Sequence, residues 1–227
     1  MDYPSAQEEK KYMRDAESYV CMINLIKEKY KEKIKILCGV EIGLMPYLRS
    51  RIKDFLSKYN FDFIIGSSYL VNGRDPFYSS FYKGREEKAA YLEYFESILE
   101  NVKLFDEYDV YGHLDYVVRY GPNKNKYFNI DDYKSILEEL LKIIIASEKG
   151  IELNTSGMLR GLGCFHPSTE ILKMYKDLGG EVITVGSDAH ILENVGYKFK
   201  IASEILRQIG FKYYSVFEGR KAVFYKI

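Results

Sequence analysis

Apolar and polar positions alternate in two rhythms along this chain. From Tyr12 onward, Ala16, Tyr19, Ile23, Ile26 and Tyr30 recur at alternating four- and three-residue steps, one apolar face of a long helix. Ser5, with Glu8 three residues further on, supplies its N-terminal capping signal. The rhythm then changes. Short apolar runs at 34–40, 61–65, 110–112, 151–153 and 181–185 predict strands. Between and after them, amphipathic stretches at 47–59, 86–102, 130–149, 168–178 and 195–209 predict helices. Asp131 is a candidate N-cap. Pro167 and Ser168 introduce a helix that Gly179-Gly180 closes, and Gly210 closes the last. Polar loops lie at 71–83 and 120–128, and a hairpin turns across Glu218-Gly219-Arg220. Strand alternating with helix predicts an α/β fold with a parallel sheet.

Composition narrows the class without naming a chemistry. The 227 residues are 47% hydrophobic, enough for one substantial core, and are read as one domain, 1–227. Thirty-three basic residues balance thirty-three acidic ones, and no basic run marks a nucleic-acid footprint. Cys21, Cys38 and Cys164 form no CxxC pair and no even set, which predicts reduced thiols and a cytoplasmic protein. The longest apolar runs are too short to span a bilayer. The helical stripes of Tyr, Ile and Leu read as packing residues.

Candidate chemistry gathers where strands end. The run at 181–185 leads into Gly186-Ser187-Asp188-Ala189-His190, which sets a carboxylate and an imidazole two residues apart at a strand tip. Both are ligand types for a divalent metal; a helix N-cap followed by an incidental His is the other reading of the motif alone. Glu41, His113 and Asn154 also fall where a strand gives way to its loop. In a parallel barrel those loops share one face, where barrel enzymes keep their sites.

Five segments in order, Gly39-Val40-Glu41-Ile42-Gly43-Leu44, Ile65-Gly66-Ser67-Ser68-Tyr69-Leu70-Val71-Asn72-Gly73, Gly112-His113-Leu114-Asp115, Glu152-Leu153-Asn154-Thr155-Ser156-Gly157 and Gly186-Ser187-Asp188-Ala189-His190, resemble the PHP (polymerase and histidinol phosphatase) superfamily, nearest its histidinol-phosphatase-like branch. The resemblance covers nearly the whole chain. It implies a distorted (β/α)7 barrel and up to three divalent metals, zinc, iron or manganese, at the strand tips. Glu41 resembles a carboxylate bridging two metals, and His113, Asp188 and His190 resemble further ligands. Their heads are expected within metal-bridging reach, roughly 3 to 7 Å of one another. Asp188 or His190 would assist proton movement. Arg160, in a loop past Asn154, is a candidate phosphate contact. Asn154 is expected to orient the site through its amide. His166 reads as a loop or capping residue, and Arg74 and Asp75 as a solvated face at the mouth of the site.

Two departures shape the expectation. The family opens with a His-x-His strand and an Asp-His strand, and neither pattern occurs here. An incomplete barrel with fewer metals is therefore expected, its gap closed by a second copy or by the first helix. Tyr69 stands where the family carries a metal-binding histidine. A phenolate can ligate iron, whereas neutral tyrosine is a poor ligand for zinc or manganese, which implies a weakened metal position. The function implied is metal-dependent hydrolysis of a small phosphorylated metabolite, a phosphomonoester of histidinol-phosphate type, with weak activity. A degenerate, non-catalytic PHP-like binding or assembly protein is the alternative.

Overall fold

The computed structural model describes residues 9–227, with side chains from Ala16 onward. The capping signal at Ser5 and Glu8, and the side chain of Tyr12, lie outside the described residues. Helix α1 (Glu9–Tyr30) comes first. Five strands follow: β1 (Gly39–Gly43), β2 (Phe63–Ser67), β3 (Val110–Tyr111), β4 (Gly150–Asn154) and β5 (Ile183–Gly186). The helices between them are α2 (Arg49–Ser57), α3 (Glu87–Leu104), α4 (Lys134–Ala146), and then α5 (Ser156–Leu159) and α6 (Thr169–Asp177). Helix α7 (Phe199–Ile209) leads to an antiparallel hairpin of β6 (Tyr213–Glu218) and β7 (Lys221–Lys226).

Strands β1 to β5 are all parallel and lie in the sheet in chain order. Each crossover adds its strand on the same side, and right-handed crossovers then put the connecting helices on one face. Packing of α3 on α4, α4 on α6 and α6 on α7 forms that layer. This winding sense is that of a barrel wall, where a doubly wound sheet reverses its order midway. Among the described residues the sheet has five strands with β1 and β5 at its edges, where the resemblance implies seven. Helix α1 sits at the β1 side. Tyr19 donates to the Gly39 carbonyl at 2.8 Å, Lys27 pairs with Asp62 at 2.6 Å, and Ala16 is buried.

Element boundaries shift for local reasons. Strand β1 begins at Gly39, whose partner Phe63 opens β2, and Cys38 N already donates to the Asp62 side chain. Asn129, not Asp131, caps the turn leading into α4: its side chain accepts from Asp131 N at 3.2 Å. Helix α7 starts at Phe199 because Gly196 and Lys198 are left-handed, at φ 68° and 58°.

The central strands β3 and β4 are buried along their whole length. Leu137, Leu141 and Ile144 of α4 and Ile151 and Leu153 of β4 join the core between sheet and helices. The tyrosines serve it too. Tyr94 and Tyr175 are wholly buried and spend their hydroxyls on the carbonyls of Ser68 and Val182. The three cysteines are free thiols. No helix among the described residues is long and apolar enough to cross a membrane.

Candidate active site

Parallel strands deliver their C-terminal ends to one edge of the sheet, and the polar residues collect there. Glu41 lies in β1 opposite Ile65 of β2. Its Oε1 is the hub of the site. Ser67 donates to it at 2.7 Å, Tyr69 at 2.5 Å, and His113 Nε2 lies 3.0 Å away. Burial opposes the Glu41 charge, but the bonds from His113, Tyr69 and Ser67 outweigh it and hold the carboxyl at about 2. Burial likewise disfavours protonation of His113, yet the adjacent Glu41 carboxylate wins and raises its proton affinity. His113 sits just past β3 with φ at 23°, a conformation uncommon outside glycine. Its Nδ1 is buried without a hydrogen-bond partner among the described residues. The ring is held edge-on to Tyr69 and tilted against Tyr116.

A second carboxylate completes this end of the sheet. Glu152 of β4 is buried, and its Oε2 accepts from His113 N at 3.3 Å and from the Asn154 amide at 3.1 Å. Burial pushes its carboxyl up to about 7, and the nearby Glu41 charge adds to the effect. Asn154 also accepts from Ser156 N through Oδ1, so its amide orients neighbours, as its position in the sequence suggests. Glu152 is not among the candidate residues that the sequence pattern marks out. Its signal was a carboxylate between Ile151 and Leu153, in a strand buried on both faces.

Behind this pair lies a buried chain of charges. Arg119, 6% exposed, donates through Nε to His166 Nε2 at 3.3 Å and through Nη2 to Ser156 Oγ at 2.8 Å. Its guanidinium also lies over the Tyr116 and Tyr120 rings. His166 Nδ1 lies 2.5 Å from Asp115 Oδ1. Arginine has no acceptor, so His166 Nε2 carries the lone pair and Nδ1 the proton. Burial lowers the proton affinity of His166, and Arg119 lowers it further against the pull of Asp115. The charge of Arg119 also reaches His113. Among the described residues no carboxylate forms an ion pair with Arg119.

The expected four-ligand cluster is only partly assembled. Glu41 and His113 meet. Asp188 and His190 form a separate pair past β5, 3.6 Å apart, and no group of three or more His, Cys, Asp or Glu converges among the described residues. Asp188 is left-handed at φ 49°, and His190 Nδ1 engages the Asp188 carbonyl while its side chain stands 81% exposed. Arg160 is exposed at the end of α5; the buried guanidinium is Arg119. His166 is wholly buried at the centre of a network, more than the loop residue its sequence suggests. Arg74 pairs with Glu93, and Asp75 caps Phe77 N.

The Glu41–His113 pair fits a metal. Two donors about 2.0–2.1 Å from one ion lie about 2.9 Å apart at an octahedral angle and about 3.4 Å apart at a tetrahedral one. Glu41 Oε1 and His113 Nε2 stand at 3.0 Å.

The family model described as PHP domain matches residues 10–156. The histidinol-phosphatase of Lactococcus lactis is 32% identical over 209 residues, spanning 89% of this chain and 76% of that protein. The "Probable histidinol-phosphatase" of Clostridium acetobutylicum is 32% identical over 184 residues, 81% of this chain and 71% of its own. The crystal structure of histidinol phosphate phosphatase from Lactococcus lactis, complexed with zinc, L-histidinol and phosphate, superposes with a TM-score of 0.83 at 31% identity. It covers 92% of this chain and 79% of that one.

Proposed function

The chain belongs to the PHP domain family, in its histidinol-phosphatase-like branch, and from that membership we propose that it hydrolyses a small phosphomonoester of histidinol-phosphate type in a metal-dependent reaction. Residues 1–227 would act as one domain. Arg119 carries the reading: a buried guanidinium with no ion-paired carboxylate among the described residues, set beside a carboxylate–imidazole pair at the sheet tip.

Glu41 and His113 would hold a divalent cation, zinc, iron or manganese, with Asp188 and His190 as further ligands from the β5 end. When bound, such an ion supplies Lewis-acid polarisation of a phosphoryl oxygen and lowers the pKa of water. Arg119 offers N–H groups in a planar fork, suited to phosphate oxygens, and its positive charge offsets the charge that builds on them. Tyr116 and Tyr120 hold that fork in place. Glu152, pushed to about 7, can carry a proton at neutral pH and so lets the buried site adjust its charge as an anion enters. Asn154 fixes the orientation of Glu152.

The test is phosphate release from L-histidinol phosphate by the full chain supplied with zinc, iron or manganese. Dialysis against a chelator should abolish release, and Arg119→Ala should lower kcat/KM by roughly 10²-fold or more. No release with any of the three metals would sink the proposal and favour a degenerate, non-catalytic protein.

A further inference from the structure

We propose that Tyr69 is itself a metal ligand in this chain, its phenolate oxygen closing one face of the coordination sphere with Glu41 Oε1 and His113 Nε2 and biasing the site toward iron(III). The inference rests on the metal centre of the proposed function.

Three donor atoms, one from within β1 and two from just past β2 and β3, form a small triangle. Its edges are 2.5 Å from Tyr69 Oη to Glu41 Oε1, 3.0 Å from Oε1 to His113 Nε2, and 3.3 Å from Nε2 to Oη. Donors sharing one face around a metal lie about 3 Å apart. The shortest edge is now a hydrogen bond. Replacing its proton with a metal needs the two oxygens to part by a few tenths of an ångström, roughly. The phenol O–H bond breaks, the proton leaves to solvent, and an oxygen–metal bond forms; no electron is transferred when iron is supplied as iron(III).

The surroundings hold the phenol where it is. Its ring lies edge-on against His113 and Tyr116, each with centroids 5.3 Å away. The backbone before it is fixed on both sides: Ser67 O accepts from Leu44 N at 2.8 Å, and Ser68 O accepts from the Tyr94 hydroxyl at 3.0 Å. The oxygen cannot swing away without disturbing these contacts. Two anionic oxygens and one imidazole make a hard donor set, which favours a hard, highly charged ion over the softer zinc.

The experiment loads the full chain with iron(III) nitrilotriacetate and records the visible absorption spectrum and iron content. The wild type should show a phenolate-to-iron(III) charge-transfer band. Tyr69→Phe, which keeps the ring and removes only the oxygen, should lose the band and bind iron(III) roughly 10-fold or more weakly. Tyr69→His should lose the band while retaining a metal, with zinc preferred. Wild-type protein that binds iron without the band, or binds none, overturns the proposal, as does a band that survives in Tyr69→Phe. Parallel assay of zinc-loaded wild type separates the two readings. Hydrolysis without the iron band removes Tyr69 from the ligand set and leaves the phosphatase standing; the band without hydrolysis by any metal form does the reverse.

Discussion

Gly186 has no side chain because Glu152 occupies the space one would fill. A Cβ there would lie 2.1 Å from Glu152 Oε1, and one at Gly112 would lie 2.6 Å from Ser67 Oγ. Gly186→Ala must therefore displace the buried carboxylate, with an expected loss of about 1–3 kcal/mol in urea unfolding. Stability within about 0.5 kcal/mol of wild type would show that the carboxylate turns aside freely. His166 makes a prediction about pH. Its folded-state proton affinity is lowered by burial and by Arg119, whereas the unfolded side chain titrates at about 6.5. The unfolded state thus binds the proton more readily, so this group's contribution is full above about 6.5 and is lost as pH falls below it. Between pH 7 and 5 the wild type should lose on the order of 1 kcal/mol more stability than His166→Gln. Equal slopes of urea midpoint against pH would show that His166 takes up its proton as easily folded as unfolded.

The β6–β7 hairpin is the element that ties the two ends of the chain's order together. Its turn reaches the end of the sheet opposite the site. Arg220, left-handed at φ 68°, places Nε 2.8 Å and 2.7 Å from the two Asp109 oxygens, and Nη2 on the Glu107 carbonyl. Arg220 N donates to the Asp62 carbonyl at 2.9 Å, and Phe217 stacks on Phe63. Asp109 is buried and also accepts from Ile64 N, the second residue of β2. Burial raises its carboxyl while Arg220 draws it back down. Arg220→Ala would leave this carboxylate buried and unpaired, and should cost about 2–4 kcal/mol by chemical denaturation. A loss below about 0.5 kcal/mol would mean that Asp109 finds water or a proton at little cost. The hairpin itself was legible in the sequence, since two apolar runs flank Glu218-Gly219-Arg220. The arginine's partner lies 111 residues away, and no local pattern points to it.

At the scale of the whole molecule, the divide between what is local and what is tertiary follows the range of the forces. Alternating strand and helix, the parallel α/β class and the placing of His113 just past a strand tip are written in short-range periodicity, because backbone geometry gives each element its own repeat; Glu41, expected at a tip, falls mid-strand because β1 runs on to Gly43 in register with Ser67. Boundaries moved where a partner's register, a left-handed residue or a capped turn intervened, as at Gly39, Lys198 and Asn129. Which polar side chains meet was another matter. Arg119 ends a short helical turn past β3 and Arg160 caps α5 past β4, and packing beneath Tyr116 and Tyr120 buries the first while the second stays in solvent. Glu152 and Asn154 share one strand, yet the space above Gly186 belongs to Glu152 because of how β4 and β5 lie together. His190 reads as a ligand by spacing, and it is the backbone turn at Asp188 that sets its ring out at the surface. The sequence by itself determined the elements and the edge of the sheet on which chemistry gathers. Tertiary structure alone decided which donors stand 3 Å apart there, since that distance depends on sheet register and core packing between residues far apart in the chain.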